Sequence, residues 1–223
     1  MAITDLLSGW ARFRSGRFQT QGDLFRRLHD EGQRPRVAMV ACCDSRVDPS
    51  MVFDCDPGDL FVVRNVANLV PPCEEIGSYH GTSAALEFAV TVLQVKHIVV
   101  LGHALCGGIR ALLTGPPPDA PPMRFLSAWI GLAQEARTVA LAASRLEEPA
   151  RQAMCERLAI RLSVRNLTTF PEIAARVDAG QLHLHGWHFD GREAQLQVLD
   201  HATGRFVPAA EDVGAGDPPA AGR

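Results

Sequence analysis

The sequence predicts an α/β fold: a mainly parallel β-sheet flanked by α-helices, preceded by an N-terminal helical arm. Three observations carry that prediction. Short continuous apolar runs at residues 36–41, 60–63 and 97–101 suit strands buried on both faces. Between the second and third runs, residues 78–95 place Ala85, Phe88, Ala89 and Val92 at helical spacing. Strand, crossover, strand, helix, strand is the order that wraps helices around a parallel sheet.

The elements follow in order. Residues 1–30 read as helical, with Leu6, Leu7, Trp10 and Phe13 on one side and then Leu24, Phe25 and Leu28, which makes 1–32 an arm. The third strand is closed by Gly102. Residues 115–122, Gly-Pro-Pro-Pro-Asp-Ala-Pro-Pro, cannot be helix or inner strand and are read as an exposed loop. Residues 123–178 are largely helical, with Pro149 and Pro171 marking starts or breaks. Residues 181–199 form one or two late strands around a turn at Asp190-Gly191. A tail at 211–223, rich in Gly, Ala and Pro, is expected to be disordered. No repeat or linker divides the rest, so residues 1–210 are expected to form a single catalytic domain.

With 223 residues the chain is long enough to bury a full core. Its 47% hydrophobic and 21% charged residues are those of an ordinary globular protein. A formal charge of -3 gives no reason to expect nucleic acid or an anionic membrane as partner. Neither a secretory pattern nor an apolar run of membrane-spanning length is visible, so the expected compartment is cytoplasmic. Six cysteines are too few and too scattered for a disulfide scaffold. Cys55, Cys73 and Cys155 are read as buried, inert thiols.

Two segments carry chemistry, each directly after an expected strand: Ala41-Cys42-Cys43-Asp44-Ser45-Arg46-Val47 and Gly102-His103-Ala104-Leu105-Cys106-Gly107-Gly108. At the carboxyl ends of parallel strands, groups distant in sequence converge on one crevice. Two thiolates and one imidazole make a three-ligand zinc site whose fourth position stays open, the pattern of catalytic rather than structural zinc. Side chains alternate along extended chain, so Cys42 and Asp44 share a face and Cys43 points away. If Asp44 belongs to the site, Cys42 is the ligand and Cys43 a small packing residue. Asp44 and Arg46 are again two apart and suited to pair, which holds the carboxylate ionised and aimed. An ordinary ion pair at a strand end is the competing reading. A cation of this kind makes a hydroxide nucleophile from its water near neutral pH. Two thiolates offset the metal charge, so activity is expected to rise toward alkaline pH.

The paired motifs Cys42-x-Asp44-Ser45-Arg46 and Gly102-His103-x-x-Cys106-Gly107-Gly108 resemble the signature of β-class carbonic anhydrases. The likeness covers residues 33–113 and, more loosely, the Gly186-Trp187 region. Asp59-Leu60-Phe61-Val62-Val63-Arg64-Asn65-Val66-Ala67-Asn68 and Tyr79-His80-Gly81-Thr82-Ser83-Ala84-Ala85-Leu86-Glu87-Phe88 look like the family's next strand and helix, closest to the plant-type branch. The resemblance implies Cys42, His103 and Cys106 as zinc ligands and Asp44 with Arg46 as catalytic dyad. It implies Gln33 as a donor to substrate oxygen, Phe61, Val66 and Phe88 as an apolar substrate wall, and Gly107 as a backbone donor. Phe88 stands where the branch usually has tyrosine, so a hydroxyl is lost.

The implied reaction is attack of a zinc-bound hydroxide, aligned by Asp44, on carbon dioxide to give bicarbonate. Carbonyl sulfide or carbon disulfide hydrolysis on the same zinc is the alternative enzyme, and an inactive zinc scaffold the alternative non-enzyme. A scaffold would need none of Asp44, Arg46 and Gln33. A redox role is disfavoured because Cys42-Cys43 is not a Cys-x-x-Cys pair. A second family branch binds regulatory bicarbonate through Trp, Arg and Tyr. Here Arg64 matches, but Met39 and Phe189 replace the aromatic partners, so that site is expected to be absent or weak. The arm bearing Trp10 and Phe13 resembles those that pack on a neighbouring subunit, which implies a homodimer or homotetramer.

Three histidines near the carboxyl end, His183, His185 and His188, have two readings: a second metal site or proton relay, or one strand face in water. His80, at a helix start, is either a proton shuttle or a capping or surface residue. Glu87 is either a buried partner or an exposed helix residue.

Overall fold

A computed structural model describes residues 1–74, 80–115, 119, 121 and 123–210. Tyr79, residues 116–118, 120 and 122 of the proline-rich loop, and the 211–223 tail lie outside the described residues. Among the described residues there are six strands: β1 (Val37–Cys42), β2 (Leu60–Asn65), β3 (His97–His103), β4 (His183–Asp190), β5 (Gln195–Asp200) and β6 (Arg205–Pro208). They lie in one sheet in the order β2-β1-β3-β4-β5-β6. The first four are mutually parallel, and β5 and β6 return antiparallel. The α/β expectation is met.

The helices are α1 (Ile3–Ser15), α2 (Arg17–Glu31), α3 (Pro49–Val52), α4 (Gly81–Glu87), α5 (Gly107–Thr114), α6 (Arg124–Ile130), α7 (Gln134–Ala142), α8 (Glu148–Leu167) and α9 (Pro171–Asp178). None among the described residues is long and apolar enough to cross a membrane. The arm is two helices broken at Gly16. α1 buries nothing: Ile3, Leu6, Leu7 and Trp10 all face solvent. α2 is tied down, with Gln21 Nε2 donating to Asp56 Oδ1 at 2.9 Å and Leu28 lying over Gly58.

The core lies on both faces of β1 and β3, whose inner residues are almost fully buried because each strand is flanked by strands and covered by helices. One layer packs Val40, Ile98 and Val100 against Leu86, Ile160, Leu167 and Ile173. Pro149 and Pro171 stand in the first turns of α8 and α9, where a missing N–H is harmless.

Three local expectations are corrected. Gly102 does not close β3, which runs on through His103. It is small because α8 crosses there: a Cβ would sit 2.6 Å from Ile160 Cδ1, and one on Gly186, across the sheet, 2.9 Å from Ile160 Cγ2. Ile160 therefore wedges between two glycines. Gly102→Ala should cost about 1–3 kcal/mol in urea unfolding through overpacking, and Ile160→Val in that background should recover part of it. A stability unchanged from wild type would show that the wedge is not tight.

The helix expected over 78–95 is regular only to Glu87, and Phe88–Val92 is a wider π turn. That extra residue rotates the apolar stripe. Leu86, Ala89 and Val90 face inward, whereas Phe88 (43% exposed) and Val92 (61%) face out. Glu87 is exposed. The third correction concerns thiols: Cys155 is buried as expected, but Cys55 is only half-buried, and Cys73 and Cys43 are exposed. Two elements were missed. α3 is a single turn capped by Asp48, whose Oδ1 accepts from Ser50 N–H at 3.1 Å. β6 is a four-residue edge strand in which Phe206 packs against the core.

Candidate metal centre and active site

β1 and β3 are adjacent parallel strands, so their carboxyl ends deliver Cys42 and His103 side by side, with Cys106 on the loop into α5. Their ligand atoms all lie within 4.8 Å of one another, and all three residues are buried. The Cys42 and Cys106 sulfurs are 4.0 Å apart. His103 Nδ1 lies 3.0 Å from its neighbour's carbonyl, Ala104 O, which fixes the tautomer with the proton on Nδ1. His103 Nε2 is then an acceptor, buried and without a hydrogen-bond partner among the described residues. A buried, unpartnered nitrogen aimed at two thiols fits a metal ligand better than a packing residue.

The thiols are not independent. Pairing with the Cys106 thiol draws the Cys42 thiol far below the ordinary range, against the opposing effect of burial; the N–H groups of Asp44 and Ala67 add to that lowering. The same pairing, with burial, pushes the Cys106 thiol up. A second thiolate beside the first therefore calls for a cation between them.

Asp44 and Arg46 pair as expected. Asp44 Oδ1 accepts from the Arg46 backbone N–H at 3.0 Å and from Nε at 2.9 Å, and Oδ2 accepts from Nη2 at 2.7 Å. This two-point grip holds the Asp44 carboxyl well below the usual carboxylate range. Arg46 Nη2 also donates to Leu105 O at 3.2 Å, bridging the two halves of the site. Asp44 Oδ2 stands 4.0 Å from His103 Nε2, beside the position a metal would take.

The remaining expected residues divide into two groups. Val66 follows β2 at the same end as Cys42, and Gly107 opens α5, so its N–H has no partner within the helix. Gly108 lets α5 press on this turn, because a Cβ there would lie 2.8 Å from Val66 Cγ1. Gln33, Phe61 and Phe88 are elsewhere. Phe61 pairs with Ala38, about 13 Å down the strand from Cys42, and Phe88 stacks on it at 5.9 Å. Gln33 is exposed before β1 begins. One chain does not bring these three to its own metal centre.

Other residues were not foreseen. Arg64 donates through Nε to Cys42 O (3.0 Å), through Nη2 to Asp44 O (2.7 Å) and through Nη1 to Asp48 Oδ2 (2.8 Å), so it clamps the loop carrying both Cys42 and Asp44. Arg64 was noted in the sequence only as the match to the regulatory-site arginine, and its clamp role had no signal beyond a charged residue at the end of an apolar strand. The late histidines separate. His183 is exposed, His185 hydrogen-bonds His97 at 3.1 Å, and His188 is buried against Glu156. His80 is exposed and caps nothing with its side chain.

A family model described as carbonic anhydrase matches residues 37–196. The solved β-carbonic anhydrase CcaA superposes with a TM-score of 0.86 at 32% identity, covering 96% of this chain and 94% of its own. This chain belongs to the β-carbonic anhydrase family. The enzyme is 36% identical to the carbonic anhydrase of Pseudomonas aeruginosa over 94% of this chain and 93% of that relative. It is 40% identical to a mitochondrial β carbonic anhydrase of Arabidopsis thaliana over 74% of this chain and 57% of that one. Tetrameric β-carbonic anhydrases from Sordaria macrospora share its fold with a TM-score of 0.78 at 27% identity, over 93% of this chain and 98% of theirs.

Proposed function

We propose that this carbonic anhydrase catalyses the reversible hydration of carbon dioxide to bicarbonate with zinc held by Cys42, His103 and Cys106. The observation that carries this reading is the buried trio with its unpartnered His103 Nε2. The donor set fits: two zinc–sulfur bonds at a tetrahedral angle need sulfurs about 3.8 Å apart, and these are 4.0 Å apart. Zinc supplies a Lewis acid that makes water available as a nucleophile near neutral pH.

The chain's own residues do the rest. Asp44, kept anionic by Arg46, only accepts hydrogen bonds and orients the nucleophile's hydrogen away from the attack direction. Arg46 keeps that acceptor aimed by its second hold on Leu105. Val66 offers an apolar contact to carbon dioxide, and the free N–H of Gly107 a donor to the oxygen that gains charge. All three nitrogens of the Arg64 guanidinium are engaged by the Cys42–Asp48 loop and Met39 is buried, which supports an enzyme without a second, regulatory bicarbonate site.

Gln33, Phe61 and Phe88 act on the same substrate only if a second copy supplies them. We propose a two-fold dimer in which the Phe61–Phe88 stack of each chain covers the metal centre of the other. Exposed Phe88 and Val92 beside β2, the uncovered sheet edge, support such a contact.

Stopped-flow hydration between about pH 6.5 and about 9, with zinc and molar mass measured on the same sample, tests this. One zinc per chain, a dimer or larger, and a rate climbing toward alkaline pH are expected. Stoichiometric zinc with no hydration at any pH would end the reading.

A further inference from the structure

We infer that Glu156, seconded by Gln152 and His188, is a positioning residue that presets the Cys106 half of the metal site. The inference rests on the zinc reading above. Glu156 and Gln152 lie one turn apart on the inward face of α8 and are 3% and 6% exposed. Glu156 Oε1 accepts from the Cys106 backbone N–H at 3.0 Å and from Gln152 Nε2 at 3.0 Å. Gln152 Nε2 also donates to Cys106 O at 3.3 Å. Both peptide groups around Cys106 are thus held from one helix. From β4, buried His188 hydrogen-bonds the other carboxyl oxygen at 3.1 Å.

Burying a carboxyl group is costly unless every lone pair is used, so its placement calls for a reason. The Asp44–Arg46 chemistry does not touch it. What it touches is the main chain of a ligand, next to Leu105, a non-glycine residue at φ 57. That left-handed conformation is unfavourable for leucine and persists only where neighbours hold it. With Cys106 N–H and O anchored, Leu105 stays put and Sγ stays facing Cys42 and His103. Release of the anchor would let the 104–106 turn relax and swing the sulfur away.

Zinc affinity by chelator competition, with absorption of the cobalt-substituted protein, separates this role from simple support of the fold. Glu156→Leu should weaken zinc about 10- to 100-fold and alter the thiolate–cobalt bands, measured where circular dichroism shows an intact fold. Glu156→Gln keeps an acceptor for the Cys106 N–H and should restore affinity to within about threefold of wild type. Leu167→Ala, a core truncation farther along α8, should leave affinity within about twofold. Gln152→Leu removes one of the two anchors and carries the test if Glu156→Leu does not accumulate; a loss of about 3- to 10-fold is expected.

Wild-type affinity and spectrum in folded Glu156→Leu, or in Gln152→Leu, would overturn the inference. So would an equal loss in Leu167→Ala. A wild-type enzyme that binds no zinc would overturn both this inference and the function reading, whereas stoichiometric zinc with indifferent variants overturns this inference alone.

Discussion

Asp44→Asn is expected to lower kcat/KM for carbon dioxide hydration by about 100- to 10,000-fold while zinc stays at one per chain. The geometry explains the asymmetry. Arg46 presents three N–H donors to the two carboxylate oxygens, and an amide has only one acceptor to offer them. An amide nitrogen in the place of Oδ1 meets the Arg46 backbone N–H and Nε, donor against donor, and the grip opens. In the place of Oδ2 it meets Nη2 and also puts a donor where the acceptor beside His103 aligned the nucleophile. The zinc ligands are untouched in either case, so metal content separates this loss from a loss of zinc.

The pH behaviour sharpens the test. The folded-state Asp44 is lowered by Arg46, so its ion pair is complete above the ordinary carboxylate range. It is lost only as pH falls through the lowered value, far below neutrality. Asp44 therefore does not titrate where the enzyme is assayed. The alkaline rise in rate should survive in Asp44→Asn with a lower plateau. A loss under threefold, measured by stopped flow, would remove Asp44 from the mechanism.

The parts of this protein legible in its sequence are those set by local pattern. β1 and β3 were visible because strands buried on both faces must be apolar throughout, and their carboxyl ends predicted which motifs would meet. β2 showed the same apolar run at residues 60–63 but is a half-buried edge strand, not one covered on both faces. That Cys42 shares a face with Asp44 followed from alternation, and the choice of Cys42 over Cys43 followed once Asp44 was taken to belong to the site. What stayed hidden depends on partners that a local pattern does not name. The inward stripe of α8 includes Gln152, Glu156 and Ser163 among Cys155, Ala159, Ile160 and Val164. Three polar residues at helical spacing within an apolar stripe were the available signal, but only the fold shows that they reach Cys106 and Val70. Phe88 and Val92 followed a helical period that the π turn then shifted. β6 offered only the two-residue apolar pair Phe206-Val207 before Pro208, too short a signal to announce an edge strand.

The choice between vicinal cysteines gives the sharpest remaining contrast. Cys42→Ser should weaken zinc more than about 100-fold, beyond what changes around a ligand produce, and reduce hydration to background. Cys43→Ser should leave both within about twofold, because exposed positions away from special contacts change little. The two side chains are chemically identical and differ only in the face they occupy. Cys42 pairs in register with Asn65 at the last rung of β1 and points its sulfur at Cys106, whereas Cys43, one residue on, points to solvent. A single-residue slip of β1 would exchange them and carry Asp44 to the wrong face with Cys42. Metal analysis of the two variants thus reads the strand register directly. Zinc retained in Cys42→Ser and lost in Cys43→Ser would mean that the β1–β2 register, and with it the placement of Asp44, is wrong by one.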